Sequence, residues 1–157
     1  LKTAVLLGFS LGLGATLAEA PKNDIDNLYK FGVLIGVGFQ LKDDYLDAFA
    51  TQGFGKQVGG DIISNKKTYL TLRALEKSTG PVHKELVDWL NTEDFDPEEK
   101  VMAVLDIYQR LDIQNDVDIL INEKFEMAYS LLRELSIQGP GVNNLENYCN
   151  LLMNRIK

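Results

Sequence analysis

The stretch "GVGFQLKDDYLDAFATQGFGKQVGGDIISNKKTYL", Gly36 to Leu70, decides how this chain reads. Within it Asp43, Asp44 and Asp47 stand at i, i+1 and i+4. On a helix, residues four apart lie one above the other and residues three apart are adjacent. Asp43 and Asp47 therefore share a face, Asp44 borders Asp47, and Gln40 lies below on nearly the same stripe. Like charges at this spacing cost an isolated helix ~0.2–0.5 kcal/mol per pair, and the helix dipole disfavours anions near a C-terminus. Three acids set there, amid Phe39, Leu41, Tyr45 and Leu46, must gain something else. Oxygen-only ligands suit Mg²⁺, which keeps several waters and takes its remaining oxygens from phosphates. Gly53, Gly55, Gly59 and Gly60 follow, and glycines permit close backbone approach to phosphate. Lys56 and Lys66 then supply positive charge for the anion that the metal holds. A bare "DDxxD" is often a solvated acidic helix end. Here it is flanked as "GxxFQxxDDxxD", then "GK", then "GxDIxxNK", and that order is far more specific.

Working outward, strand signals are scarce and helical ones strong. Residues 3–19 read as an apolar helix in which Gly8 and Gly12 let a neighbouring helix approach closely, with Pro21 as its breaker. Asn23 or Asp24 is expected to cap a long helix reaching about Thr51, with Leu28, Phe31, Leu34, Ile35 and Phe39 on its apolar face. Residues 52–64 read as a loop, 66–77 as a helix stopped by Gly80-Pro81, and 82–91 as a short helix. Asp96-Pro97-Glu98-Glu99 is a clear start signal for a helix to about Asp112. Another helix is expected over 115–137, ended by Gly139-Pro140-Gly141, and a last one over 143–157. The reading is all-α, one domain, with mostly antiparallel neighbours joined by short loops.

Composition narrows the function. A net charge of −7 argues against a non-specific nucleic-acid binder. One cysteine, Cys149, excludes an internal disulfide framework, and with one histidine, His83, it excludes an ordinary His/Cys zinc site. A reduced, cytoplasmic setting is expected. The opening "LKTAVLLGFSLGLGATLAEA" imitates a signal peptide. The run is short for a membrane span, and stable membrane insertion is not expected. Nucleotide-loop patterns fail. "GLGATL" and "GVGFQL" lack the third glycine of a dinucleotide fingerprint, and "GFGKQV" lacks the earlier glycine and the Ser/Thr of a P-loop. "DVDILINE" lacks the glycine of a calcium loop.

The Gly36–Leu70 stretch resembles the second aspartate-rich region of the trans-isoprenyl diphosphate synthases, or polyprenyl synthetases. The resemblance implies an isoprenoid synthase-type helical bundle and a Mg²⁺-dependent transfer. An allylic diphosphate ionises, isopentenyl diphosphate attacks the cation, and a proton is lost. It places metal binding at Asp43, Asp44 and Asp47. It places diphosphate contacts at Lys56 and Lys66, with Asp61 holding a metal or orienting a lysine. Lys2-Thr3 resembles the family's "KT", which contacts the allylic diphosphate from the helix facing the aspartates. Gln40 matches its "FQ", near the diphosphate and the reacting chain, and Arg155 its C-terminal basic residue for isopentenyl diphosphate. A homodimer is also implied.

The family's first aspartate motif and its Arg-rich isopentenyl diphosphate site lie upstream of "KT", and no second "DDxxD" stands in these residues. The whole of 1–157 is therefore expected to be the C-terminal portion of a single polyprenyl synthetase domain, inactive by itself. Two alternatives remain open: a non-catalytic helical subunit that partners a synthase, and a class I terpene cyclase. Cyclases usually pair their aspartates with an Asn/Ser/Glu motif rather than a lysine-bearing loop.

Overall fold

The computed structural model describes residues 2–50 and 59–154. Among these the only regular elements are helices, with no strand. The described helices are α1 (Lys2–Leu17), α2 (Lys22–Phe49), α3 (Gly60–Ile63), α4 (Tyr69–Lys77), α5 (Gly80–Asn91), α6 (Pro97–Arg110), α7 (Ile113–Arg133) and α8 (Pro140–Met153). They divide into two compact units, one of Leu1–Lys42 with Ile119–Ile156 and one of Asp43–Asp118. No described helix is long and apolar enough to cross a membrane.

In the first unit, α1 turns a stripe of small residues, Ala4, Gly8, Gly12 and Ala15, inward. A Cβ on Gly8 would lie 2.7 Å from the Tyr29 carbonyl oxygen, and one on Gly32 would lie 2.7 Å from the Gly8 Cα. Real atoms do not approach so closely, so α1 and α2 meet backbone to backbone and glycine is required on both. Large apolar residues of α1, among them Leu6, Phe9 and Leu17, are exposed. Phe31 and Ile35 of α2 are buried, as are Phe125, Ala128 and Leu132 of α7.

Asp24 is not the cap of α2. The helix begins at Lys22, so Asp24 sits inside its first turn, almost fully buried. Its carboxylate accepts from the Ser136 amide at 3.1 Å and the Ser136 hydroxyl at 2.5 Å, tying down the chain just after α7. α8 begins at Pro140, so the Gly139-Pro140 pair starts a helix as well as following one. In α7 and α8, Tyr129 donates to the Asn150 side-chain oxygen at 2.5 Å.

In the second unit, α6 packs against α3, α4 and α5. Its core holds Leu70, Ala74, Leu86, Val104, Ile107, Tyr108, Ile113 and Val117, each at most 1% exposed. The start signal at Asp96 is realised. Its carboxylate accepts from the Glu98 and Glu99 amides at 2.9 and 3.0 Å, with Pro97 in the first turn. Such a cap stabilises by about 1 kcal/mol. Two readings need correcting. The expected loop over 52–64 contains a single helical turn, α3. Gly80-Pro81 begins α5, because α4 has already ended at Lys77 and proline is well suited to a first turn.

Candidate functional site

The last turns of α2 carry the aspartates of the second unit. Asp43 is exposed, Asp44 buried and Asp47 half-buried. The chain re-enters at Gly59, whose amide donates to the Asp47 carbonyl at 2.7 Å. The Asp61 amide then donates to the Asp47 carboxylate at 2.8 Å. Gly59 has φ +81°, and a Cβ there would lie 2.7 Å from a Val101 methyl. Both the backbone and α6 therefore demand glycine at this point.

After α3 the turn delivers Lys66 back to α2. Its ammonium lies 2.6 Å from an Asp61 oxygen and 3.1 Å from an Asp44 oxygen. Lys66 thus bridges the two carboxylates. The hydrogen bond to Asp61 is the chief cause holding the Lys66 ammonium well above the ordinary lysine range; partial burial opposes it and Asp44 reinforces it. Across neutral pH Lys66 is a fixed positive charge.

The turn itself is anchored. The Lys66 amide donates to the Asp61 carbonyl at 2.9 Å. Asn65 has φ +50°, a left-handed conformation that asparagine tolerates. Thr68 caps α4 by accepting from the Thr71 amide at 3.3 Å. The Thr71 hydroxyl lies 3.0 Å from the Tyr108 hydroxyl. Burial pushes the Tyr108 phenol up to about 12. Tyr108 also meets Phe49, which meets Tyr45, with ring centroids 6.4 and 5.1 Å apart. Gln114 donates to the Tyr45 hydroxyl at 2.8 Å.

Of the residues singled out in the sequence, the second unit gathers Asp44, Asp47, Asp61 and Lys66. Asp43 stands beside them on α2. Gln40, on α2, and Lys2 and Thr3, in the first turn of α1, are exposed and belong to the first unit. Lys56 and Arg155 lie outside the described residues. Thr71, Lys100 and Tyr108 were missed, and Asn65 entered only as the asparagine of "GxDIxxNK". A signal existed for Lys100. It shares the i, i+4, i+7, i+8 stripe of α6 with Val104, Ile107 and Tyr108, which is the buried face.

Among the described residues, no three His, Cys, Asp or Glu side chains converge as a metal centre. Asp44 is engaged by Lys66, and Asp47 by an amide. The donor set still fits Mg²⁺ of one kind. This ion is commonly held by one or two carboxylates and completed by phosphate oxygens and water, without a protein cage.

Comparison with known proteins bears on the family and the fold. A model of the polyprenyl synthetase family matches residues 1–108. Farnesyl diphosphate synthase of Bacillus subtilis is 48% identical over 84 residues, 53% of this chain and 27% of that protein. A crystal structure of a geranylgeranyl pyrophosphate synthase superposes with a TM-score of 0.87 at 34% identity, over 98% of this chain and 48% of the other. The geranylgeranyl pyrophosphate synthase of Corynebacterium glutamicum, complexed with calcium and isoprenyl diphosphate, gives 0.81 at 29% identity, over 99% of this chain and 48% of the other. This chain thus spans about half the length of its solved relatives. With its aspartate and lysine turns in the order that family uses, and the family model matching from the first residue through most of α6, the chain belongs to the polyprenyl synthetase family.

Proposed function

We propose that these residues serve a Mg²⁺-dependent prenyl transfer, in which an allylic diphosphate condenses with isopentenyl diphosphate. The observation that carries the reading is the Lys66 ammonium held between Asp44 and Asp61, one helical turn from Asp47. A site that must bind a diphosphate needs oxygen ligands for a hard cation and a permanent cation beside them. The complex of the Corynebacterium relative with calcium and isoprenyl diphosphate supports the same pairing of divalent cation and diphosphate.

Asp43, Asp44 and Asp47 would hold Mg²⁺, which when bound supplies Lewis-acid stabilisation of charge on a departing diphosphate. Lys66 binds the anion as a fixed charge; the sequence resemblance alone assigns further contacts to the allylic diphosphate to Lys56, Lys2, Thr3 and Gln40. Arg155 is assigned to isopentenyl diphosphate. Preorganised charges of this kind act without reorganising during the reaction, which is the largest contribution in many enzymes. A homodimer is part of the reading, and exposed Leu6, Phe9 and Leu17 on α1 offer apolar surface for association.

The 157 residues carry one aspartate motif. We infer that they form part of the site and do not turn over alone. The presence of one motif also favours a second reading, a non-catalytic helical partner of a synthase. The test has two arms. The purified chain should bind inorganic pyrophosphate only when Mg²⁺ is present and should give no condensation product from labelled isopentenyl diphosphate. A longer protein that contains this chain and a second aspartate motif should condense, and Asp43→Ala in it should lower turnover by orders of magnitude. Near-normal turnover of that variant at saturating Mg²⁺ would remove the metal assignment. Undiminished turnover with all three aspartates replaced would leave the partner reading.

A further inference from the structure

Lys100 lies on α6 with 0% of its surface exposed, an unusual place for a lysine. Its ammonium donates to the Asn65 side-chain oxygen at 2.7 Å and sits 4.0 Å from the centroid of the Phe95 ring. A buried ammonium is costly unless it is paired, and a charge-assisted hydrogen bond is about twice as strong as a neutral one. Asn65 is the residue before Lys66, and its backbone is left-handed at φ +50°. The other end of its amide donates to the Leu90 carbonyl at 3.0 Å. Both ends of one side chain therefore anchor the turn, one to α6 and one to α5.

We propose that Lys100 is a positioning residue for Lys66: its bond to the Asn65 oxygen fixes the turn that places the Lys66 ammonium between Asp44 and Asp61. The proposal rests on the diphosphate reading of Lys66 for its functional consequence, though not for its geometry. Burial lowers the Lys100 ammonium below the ordinary lysine range. The Asn65 oxygen then matters doubly, because it favours the charged form that makes the bond. A lysine retained only for packing would be replaceable by methionine, which keeps the stem and loses the charge.

The experiment uses the full 157-residue chain, with Mg²⁺ and inorganic pyrophosphate as the probe. Three variants are compared: Lys100→Met, Asn65→Gly and Asn65→Asp. Glycine keeps the left-handed backbone accessible and removes the oxygen; aspartate keeps an acceptor for Lys100. Two readouts are taken. Hydrogen exchange of the Lys66 amide, which donates to the Asp61 carbonyl at 2.9 Å, reports the turn, and calorimetry reports pyrophosphate affinity. Lys100→Met and Asn65→Gly should speed that exchange at least tenfold and weaken pyrophosphate at least tenfold. Asn65→Asp should keep both near the wild-type values. In a Lys66→Met background, Lys100→Met should weaken pyrophosphate no further. If Lys100→Met does not fold, Asn65→Gly carries the test, since Asn65 is exposed. Unchanged exchange of the Lys66 amide in Asn65→Gly would overturn the proposal. Faster exchange with unchanged pyrophosphate affinity would support the positioning role and instead remove Lys66 from the diphosphate site.

Discussion

Lys66→Met is the perturbation that separates a structural lysine from an anion ligand. Two unit charges about 3 Å apart attract by ~5 kcal/mol at an effective dielectric of about 20. That gross figure is not the stability at stake, because the Lys66 side chain is 45% exposed and water replaces most of what is lost. The net coupling to Asp61 should be ~1 kcal/mol, the upper part of the range for exposed pairs. A double-mutant cycle of Lys66→Met and Asp61→Asn, read by urea denaturation, measures it directly. Binding should respond differently. On the proposed reading the ammonium is a charge that binds the diphosphate, so its removal should lower Mg²⁺–pyrophosphate affinity at least tenfold, or ~1.4 kcal/mol. Asp61→Asn leaves Lys66 charged and still offers it an amide oxygen, so affinity should fall less than about threefold, a difference under ~0.7 kcal/mol. Equal losses in the two variants would refute the reasoning. Lys66 would then be a structural tie, or Asp61 itself a metal ligand.

Two further perturbations test the frame around that bridge. Gly59→Ala must adopt φ +81° against a Val101 methyl, and should destabilise by ~1–2 kcal/mol in urea denaturation, with Val101→Ala rescuing only the steric part. Tyr108→Phe removes the hydroxyl beside Thr71 and should cost ~1 kcal/mol at neutral pH. The phenol titrates higher in the folded chain, at about 12, than when unfolded, so the folded state holds the proton longer. The stabilisation from that proton is whole below the unfolded value of about 10 and is lost as pH rises towards 12. The wild-type chain should therefore weaken over that window more steeply than Tyr108→Phe, as followed by urea midpoints at each pH.

Local signals in this chain were legible, and those set by distant partners were not. Asp96 reads as a cap because its amide partners are two and three residues away. Asp24 reads the same way and is not one, since its partner Ser136 lies 112 residues off. Gly80-Pro81 and Gly139-Pro140 read as stops because a proline that begins a helix leaves the same mark as one that follows it. α3 has four residues, too few to show a period. In the candidate site, the aspartates and Lys66 were visible as a spaced pattern. The α6 stripe marks Lys100 and Tyr108 as buried, but their partners were not legible, because these depend on α6 packing against α3 and α4.

The acids near the end of α2 pose an energetic question that the second unit answers. An anion in the last helical turn costs ~0.3–1 kcal/mol through the dipole, and each like-charged neighbour a few tenths more, ~0.2–0.5 kcal/mol. Against this, the Asp61 amide gives Asp47 one charge-assisted hydrogen bond and Lys66 gives Asp44 another. Hydrogen bonds to charged groups are worth ~1.5–3 kcal/mol where shielded and less where water competes. The return of the chain through Gly59 to Lys66 therefore offsets the cost of placing the acids. Asp43 is exposed, and Asp47 and Asp61 are half-buried. Neutral helix formers in place of these acids would avoid the like-charge cost but would strip the Asp61 amide and the Lys66 ammonium of these partners. On the proposed reading, acids and a lysine held on both sides of one short turn serve a further charged partner, and a diphosphate with its cation has the charge and the oxygens to be that partner.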